Sequence, residues 1–438
     1  MQDSEKYQGD IKLYDLLYLS AKNALILQNE EGAFPGGHNG VRIDPETPVR
    51  NTSHWLITML KMYSHFKEKV FKDSADKAVN YLLSREARPM QATFWHRKKT
   101  EKDFCNGLMG QAYTIEALAI AYKETQNIEI KKVAEEVFLM HPFDEKTGLW
   151  QRVAVDGSHL TADETFNHQL WFAASGALLW DSGANEEINR CISIFINNLP
   201  LNMRLYKLKN KGLIIHPLLR NLSKYNNKIN KFNSLITHIR QIKKKKIMHA
   251  IGYHAFNLYA LAVIKRIYPI HPFWESEICA SALKYAKSKT YIDVTEDPRF
   301  SIPHSPAGSE TSFFERAFVL NTFFPNEDNA AEQQRLISLQ FNKSYDFDEN
   351  MLNKCTADPV TQSARIYKAT RLPDISVCIN DKTDVTAKKS LCKLEEDTEE
   401  KDNVPISGKK TSFYSYGLER NRSCYSEWFQ ILGAIGYC

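Results

Sequence analysis

Apolar residues recur at i, i+3, i+4 and i+7 through most of this chain, the period that gathers them on one stripe of an α-helix. The pattern predicts helices over approximately 12–28, 50–66, 72–84, 106–124, 129–140, 163–181, 184–198, 230–246, 253–268, 272–289, 309–322, 328–341 and 359–370. Two kinds alternate. Segments such as Asn106–Tyr122 and Phe166–Leu179 are apolar on more than one face and rich in alanine and glycine, so they belong inside, with backbones close to their neighbours. Segments such as Ile128–Met140 carry lysine and glutamate on one face and belong half-exposed.

A buried helix followed by a half-exposed one, repeated, is the pattern of an inner ring wrapped by an outer ring. With about twelve main helices the expectation is all-α: a single (α/α)6 toroid, or barrel, of helical hairpins. The best extended candidates are Trp150–Val155, ahead of an Asp156–Gly157 turn, and Tyr291–Val294. The loops Gln28–Gly37 and Asp144–Trp150 share acid, glycine and an aromatic. Glycine supplies the positive φ that stops a helix, and the aromatic can fold back as a plug between repeats.

Residues 1–378 are assigned to the toroid and 379–438 to a polar C-terminal extension. Asp381–Lys410 holds the acidic run Glu395–Asp402 with very few large apolar residues, and aromatics return only in Tyr414–Cys438. The 438 residues, 43% hydrophobic and 25% charged, suit an ordinary globular protein. Nothing approaches the roughly 18 uninterrupted apolar residues of a membrane span, and the first residues lack the basic and apolar regions of a signal peptide. A cytoplasmic protein without a transmembrane segment is expected. The eight cysteines are dispersed, which points to reduced, structural thiols.

The net charge of +5 is unevenly spread: no Asp or Glu occurs from Ile188 to Trp274, while 204–246 is crowded with Lys and Arg, ending in Lys243–Lys246. The segment reads as a basic insertion outside the inner ring, able to contact a polyanion. Nucleic acid is not an expected partner, because no helix-turn-helix, zinc finger or aromatic RNA-binding signature accompanies the charge.

Candidate chemistry clusters where buried helices begin. Asp163 precedes Asn167, His168 and Trp171; Tyr253 and His254 are followed by Asn257; Asp103 and Asn106 precede Gln111. Asp103, Asn106 and Asp163 are also natural N-caps, since their side-chain oxygens accept from unpaired backbone N–H groups. A Tyr hydroxyl and a His imidazole placed across a sugar ring can take and return a proton, and an Asn amide can hold a carboxylate in a neutralised state. Upstream, Trp95 offers a flat face for a sugar beside His96, and the Arg97 guanidinium can pair with a carboxylate. His54 and Glu310 mark two further helix starts. The starts near His54, Asn106, Asn167, Tyr253 and Glu310 are expected to line one mouth. Walker, dinucleotide-binding, H-E-x-x-H and G-x-S-x-G motifs are missing, and no histidines sit at ligand spacing on a helix, so neither cofactor nor metal is assigned.

Asp103–Leu118, Gly148–Leu179 and Gly252–Ala262 together resemble an α/α-toroid family of prokaryotic surface-glycan and glycosylation gene clusters. The Asn-His and Tyr-His elements are more distantly similar to heparinase-type and alginate-type polysaccharide lyases, and the helix near Asn106 to unsaturated-glucuronyl hydrolases. The resemblance covers approximately residues 10–370. It implies roles for Asn167 in neutralising a uronate and for His168, Tyr253 and His254 in moving protons, with Asp163 as a carboxylate alternative. The expected function is carbohydrate-active, in surface-polysaccharide or glycan metabolism, on an acidic sugar or oligosaccharide by lyase, hydrolase or isomerase chemistry. The alternative is a non-catalytic glycan-binding or assembly protein.

Overall fold

A computed structural model describes residues 9–218, 232–297, 311–325 and 328–379, with the side chains of Val41 and 232–245 outside the description. Glu310, the middle of the basic segment and the C-terminal extension therefore lie outside the described residues. The described chain belongs to one compact unit, Gly9–Ile379.

In chain order it comprises β1 (Gly9–Lys12), α1 (Leu13–Ala24), α2 (Val49–Phe66), α3 (Lys69–Leu83), α4 (Gly107–Thr125) and α5 (Ile128–Met140). Then follow β2 (Phe143–Asp144), β3 (Leu149–Val153), β4 (His159–Ala162), α6 (Phe166–Asp181), α7 (Glu186–Asn202) and α8 (Phe232–Ile267). α9 (Glu277–Ala286), α10 (Lys289–Thr295), α11 (Ser312–Phe323), α12 (Ala330–Ser344), α13 (Pro359–Ala364), a 3-10 helix (Arg365–Arg371) and β5 (Ser376–Ile379) complete the unit. α2, α4, α6, α8, α11 and the 3-10 helix pack successively on one another, and the 3-10 helix packs back on α2, closing an inner ring. The fold is the α/α toroid.

The inner helices show why they are inside. Gly176 of α6 lies where an added Cβ would fall 2.4 Å from the Phe138 ring, so only glycine admits the α5 aromatic. The loop aromatics plug the hairpins: Phe34 stacks on Trp55 at 5.8 Å, and Trp150 packs against Phe138, Phe172 and Phe195. Full burial of each contributes about 1.5–3 kcal/mol. Two glutamines hold these loops by the same bonding. Gln111 accepts from the Phe94 N–H (2.8 Å) and donates to the Phe94 and Cys105 carbonyls; Gln169 accepts from the Trp150 N–H (2.9 Å) and donates to the Trp150 and Asp163 carbonyls.

Three expectations change. Tyr291–Val294 is helical, within α10, because Ser288 caps the Tyr291 N–H and Tyr291 is fully buried. The helices expected at 230–246 and 253–268 are one continuous α8. Its segment Lys246–Ile267 is long and apolar enough to cross a membrane by composition, yet 83% of that window is buried inside the protein. The beginning of the basic segment is built into the wall: Leu205 bridges Ile214, and Leu213 and Ile214 are fully buried, although Lys207, Lys209 and Lys211 remain exposed. An extended pairing absent from the periodicity closes the chain ends, β1 antiparallel to β5 with Ile11 opposite Val377.

Burial holds His141 and His254 at pKa values of about 4. A folded pKa below the unfolded value means the unfolded chain binds more protons between about pH 6.5 and 4, so stability is fully present above that window and falls with acidification. Each histidine contributes up to about 1.4 kcal/mol per pH unit there. Urea unfolding across this range should show the midpoint dropping as pH falls, and more gently in His254→Asn.

Candidate active site

Where the N-terminal ends of the inner helices meet, a cleft of about 640 Å³, counted to its open mouth, is lined by Asn39, Arg42, Arg50, His54, Arg97, Asn106, Met109, Tyr113, Asn167, His168, Tyr253, Phe256, Arg365, Tyr367 and Lys368. The starts of α2, α4 and α6 thus converge as the sequence implied, joined by Tyr253, which lies within α8 and not at the expected helix start; Glu310 is not described. The last 3-10 helix supplies Arg365, Tyr367 and Lys368.

His168 is the best-oriented titratable group. Its Nδ1 lies 2.8 Å from the Asp163 carboxylate, which leaves Nε2 as the ring's other nitrogen toward the cleft. Asp163 also accepts from the Leu108 N–H at 3.3 Å and the Thr165 N–H at 3.2 Å, so it caps the neighbouring helix α4 while aiming His168. Burial opposes its charge, but His168 and these N–H groups hold the carboxyl below its ordinary range. Asp163 is therefore an orienting group behind the cleft.

The floor is buried and polar. Asn167 is 3% exposed, and its Oδ1 has no hydrogen-bond partner among the described residues. His54, 1% exposed, stacks on Tyr367 at 4.3 Å, and neither ring nitrogen has a hydrogen-bond partner among the described residues. Burial, reinforced by Arg50, Arg365 and Lys368, pushes its pKa well below the usual value, so it is neutral at pH 7. The Tyr367 hydroxyl is likewise buried, with no partner among the described residues. Each such atom costs about 1–3 kcal/mol when left unsatisfied, a cost that a ligand bearing several hydroxyls would remove.

Charge in the cleft has one sign. Arg42, Arg50, Arg97, Arg365 and Lys368 line it, and no carboxylate does among the described residues. Acids balance several cations from behind: Arg50 Nη1 donates to both oxygens of Glu46 (3.1 and 3.0 Å), Arg97 meets Asp103 at 3.2 Å, and Lys368 pairs with the fully buried Glu315. Lys368 also lies 4.7 Å from the Phe256 ring centroid, a cation–π contact.

Several expected site residues serve the fold. His254 is fully buried, its Nε2 3.0 Å from the Ala282 carbonyl and its Nδ1 accepting from the Ile214 N–H, so it turns away from the mouth that its neighbour Tyr253 lines. Gln111 is consumed by the Phe94 clamp. His96 sits behind the wall, 3.4 Å from the Thr114 hydroxyl, and the Trp95 Nε1 donates to the Arg97 carbonyl. Asp103 ties Arg97 to Arg152. Trp171 and Asn257 lie in the core, 1% exposed and outside the lining. Arg42, Arg50, Tyr113 and Tyr367 were not singled out; an arginine four residues before His54 was the available signal for Arg50.

A relative, archaeal glycosylation protein Q of Haloferax volcanii, is 41% identical over 379 residues, covering 84% of this chain and 99% of the relative. This chain belongs to the archaeal glycosylation protein Q family. No family model matches it. Among solved structures, cellobiose 2-epimerase from Spirochaeta thermophila shares the fold at TM-score 0.56 and 12% identity, covering 82% of this chain and 96% of that one. A D-mannose isomerase does so at 0.55 and 14%, with the same coverage. An inactive variant of a Salegentibacter α-1,6-mannanase bound to α-1,6-mannotriose matches at 0.52 and 10%, covering 82% and 98%.

Removing the glutamine clamp should separate fold from site. Gln111→Ala leaves the Phe94 N–H and two carbonyls without their partner and is expected to cost about 1–3 kcal/mol of stability. Calorimetric melting should detect this, while ligand affinity per folded molecule stays within about twofold, or about 0.4 kcal/mol.

Proposed function

We propose that this protein is an enzyme of glycan biosynthesis that moves a proton at the carbon beside the carboxylate of an acidic sugar. The observation that carries the reading is the pairing of an Asp163-oriented His168 with Tyr253 in a cleft whose described lining has five cations and no carboxylate. Hydrolysis of a glycosidic bond ordinarily needs two carboxyl groups flanking it. Proton abstraction next to a carboxylate needs a base and positive charge to hold the enediolate that forms.

In this scheme His168 Nε2 takes the proton from the carbon α to the carboxylate, and the electron pair delocalises onto the carboxylate oxygens. Arg97, Lys368 and the Asn167 amide hold that charge. Reprotonation from the opposite face by Tyr253 inverts the centre; loss of the substituent one carbon further on would give elimination. His54 and the Tyr367 hydroxyl meet sugar hydroxyls. The relative is a glycosylation protein, and a cellobiose 2-epimerase and a D-mannose isomerase share the fold, which supports inversion.

Incubation with uronic acids and their activated forms in deuterated water, followed by NMR, tests the scheme. Deuterium is expected at the carbon next to the carboxylate. His168→Ala and Tyr253→Phe should each lower that exchange by about 10²-fold or more with melting temperature nearly unchanged. Asn167→Ala should reduce turnover while ground-state binding persists. Binding without exchange in the unaltered protein would instead favour the glycan-binding reading.

A further inference from the structure

The floor and the rim of the cleft have different chemistry. His54, Asn167, Arg50 and Lys368 at the floor are all at most 4% exposed, whereas Arg42 is exposed and Tyr253 half-buried at the rim. The scheme above meets the sugar carboxylate with Arg97, Lys368 and the Asn167 amide, which also line the cleft. Arg42 is in surplus: it has no acidic partner among the described residues, unlike Arg50, Arg97 and Lys368.

The loop that presents Arg42 is held firmly. Asp358, 1% exposed, accepts from the His38 N–H at 2.8 Å and the Gly40 N–H at 3.3 Å, and the Asp44 N–H donates to the His38 carbonyl at 2.8 Å. Gly37 lies where an added Cβ would be 2.6 Å from both Asp358 oxygens. Asn39 and Ile43, on either side of Arg42, have φ of +58° and +47°. Such left-handed conformations in non-glycine residues persist only where the surroundings enforce them, and they concentrate at ligand clamps.

Tyr253 lines the cleft together with Arg42, and His216 and His249, 4.6 Å apart, pack on it at 5.0 and 4.7 Å. Burial above all, with the nearby Arg42 guanidinium adding to it, disfavours protonation of both imidazoles, and His216 Nδ1 has no partner among the described residues. One guanidinium with neutral imidazole and phenol donors near it is a set matched to a tetrahedral oxyanion.

We propose that Arg42, His216, His249 and Tyr253 form a second anion subsite, for the phosphate or diphosphate linking the sugar to a carrier, so that the substrate is an activated acidic sugar held ring-inward with its linkage at the rim. The sugar's identity rests on the reading given above; the phosphate subsite does not.

Calorimetric titration of the full chain with glucuronic acid, glucuronic acid 1-phosphate and glucose 1-phosphate tests the subsite. The expected result is that glucuronic acid 1-phosphate binds about tenfold or more tightly than glucuronic acid. Arg42→Ala should bring the phosphorylated sugar down to the level of the free one, with Arg42→Lys intermediate because it keeps the charge and loses the fork. UDP-glucuronic acid and a farnesyl-diphosphate-linked glucuronic acid, compared in the same way, identify a nucleotide or a lipid as the carrier. Equal binding of the free and phosphorylated sugars, or an equal loss of both in Arg42→Ala, overturns the subsite and leaves the acidic-sugar reading standing. Arg42-dependent binding of glucose 1-phosphate as tight as that of glucuronic acid 1-phosphate upholds the subsite and removes the acidic sugar.

Discussion

Closure of the inner ring is the constraint on which the cleft depends. α2, near the beginning of the chain, must pack against the 3-10 helix Arg365–Arg371 near the end of the unit, and the cleft floor straddles that seam. Arg50 and His54 come from one side, Tyr367 and Lys368 from the other, and the His54–Tyr367 stack spans it. Nearby, Arg371 reaches Glu116 at 2.6 Å and the Tyr259 hydroxyl at 2.9 Å. Breaking a buried ion pair of this kind by removing one partner strands a charge, so the network penalises misaligned closure more than it adds net stability.

The same closure explains the polarity of the site. Inner helices of a toroid point the same way, so their N-terminal ends, with unpaired N–H groups and partial positive charge, gather at one mouth. Asp163 shows how the chain uses this: one carboxylate accepts from the backbone at the start of α4 and orients an imidazole on α6. A residue that is a cap on one helix is thereby an orienting group for the next, and capping and site chemistry are two descriptions of one set of bonds.

Much of the fold was legible because burial on several faces leaves a plain mark: the alanine- and glycine-rich stretches of α4 and α6 cannot be surface helices. Asn106, Asn167, His168 and Tyr253 were legible for the same reason, as polar residues opening such stretches. What local reading could not supply was direction and distant partnership. Tyr253 and His254 are adjacent on a helix, where successive side chains diverge by about 100°, so only the packed structure reveals which faces the mouth. Arg42 and Lys368 carry no local signature, since each matters through residues hundreds of positions away or on another loop. Gln111 resembled a ligand contact because a buried amide looks alike in sequence whether it meets a sugar or a carbonyl.

The pairing of β1 with β5 ties the first residues of the compact unit to its last. During synthesis the chain must therefore emerge through Ile379 before Gly9–Lys12 finds its partner and before Tyr367 can cover His54. Contacts of such long sequence separation form late, since the entropy of closing the loop is lost before the contact repays it. Hairpins can pack pairwise as they appear, but the cleft comes into existence only at the final docking event. The cleft is in this way reserved for the completed unit: a partly made one exposes half a floor and no enclosed site.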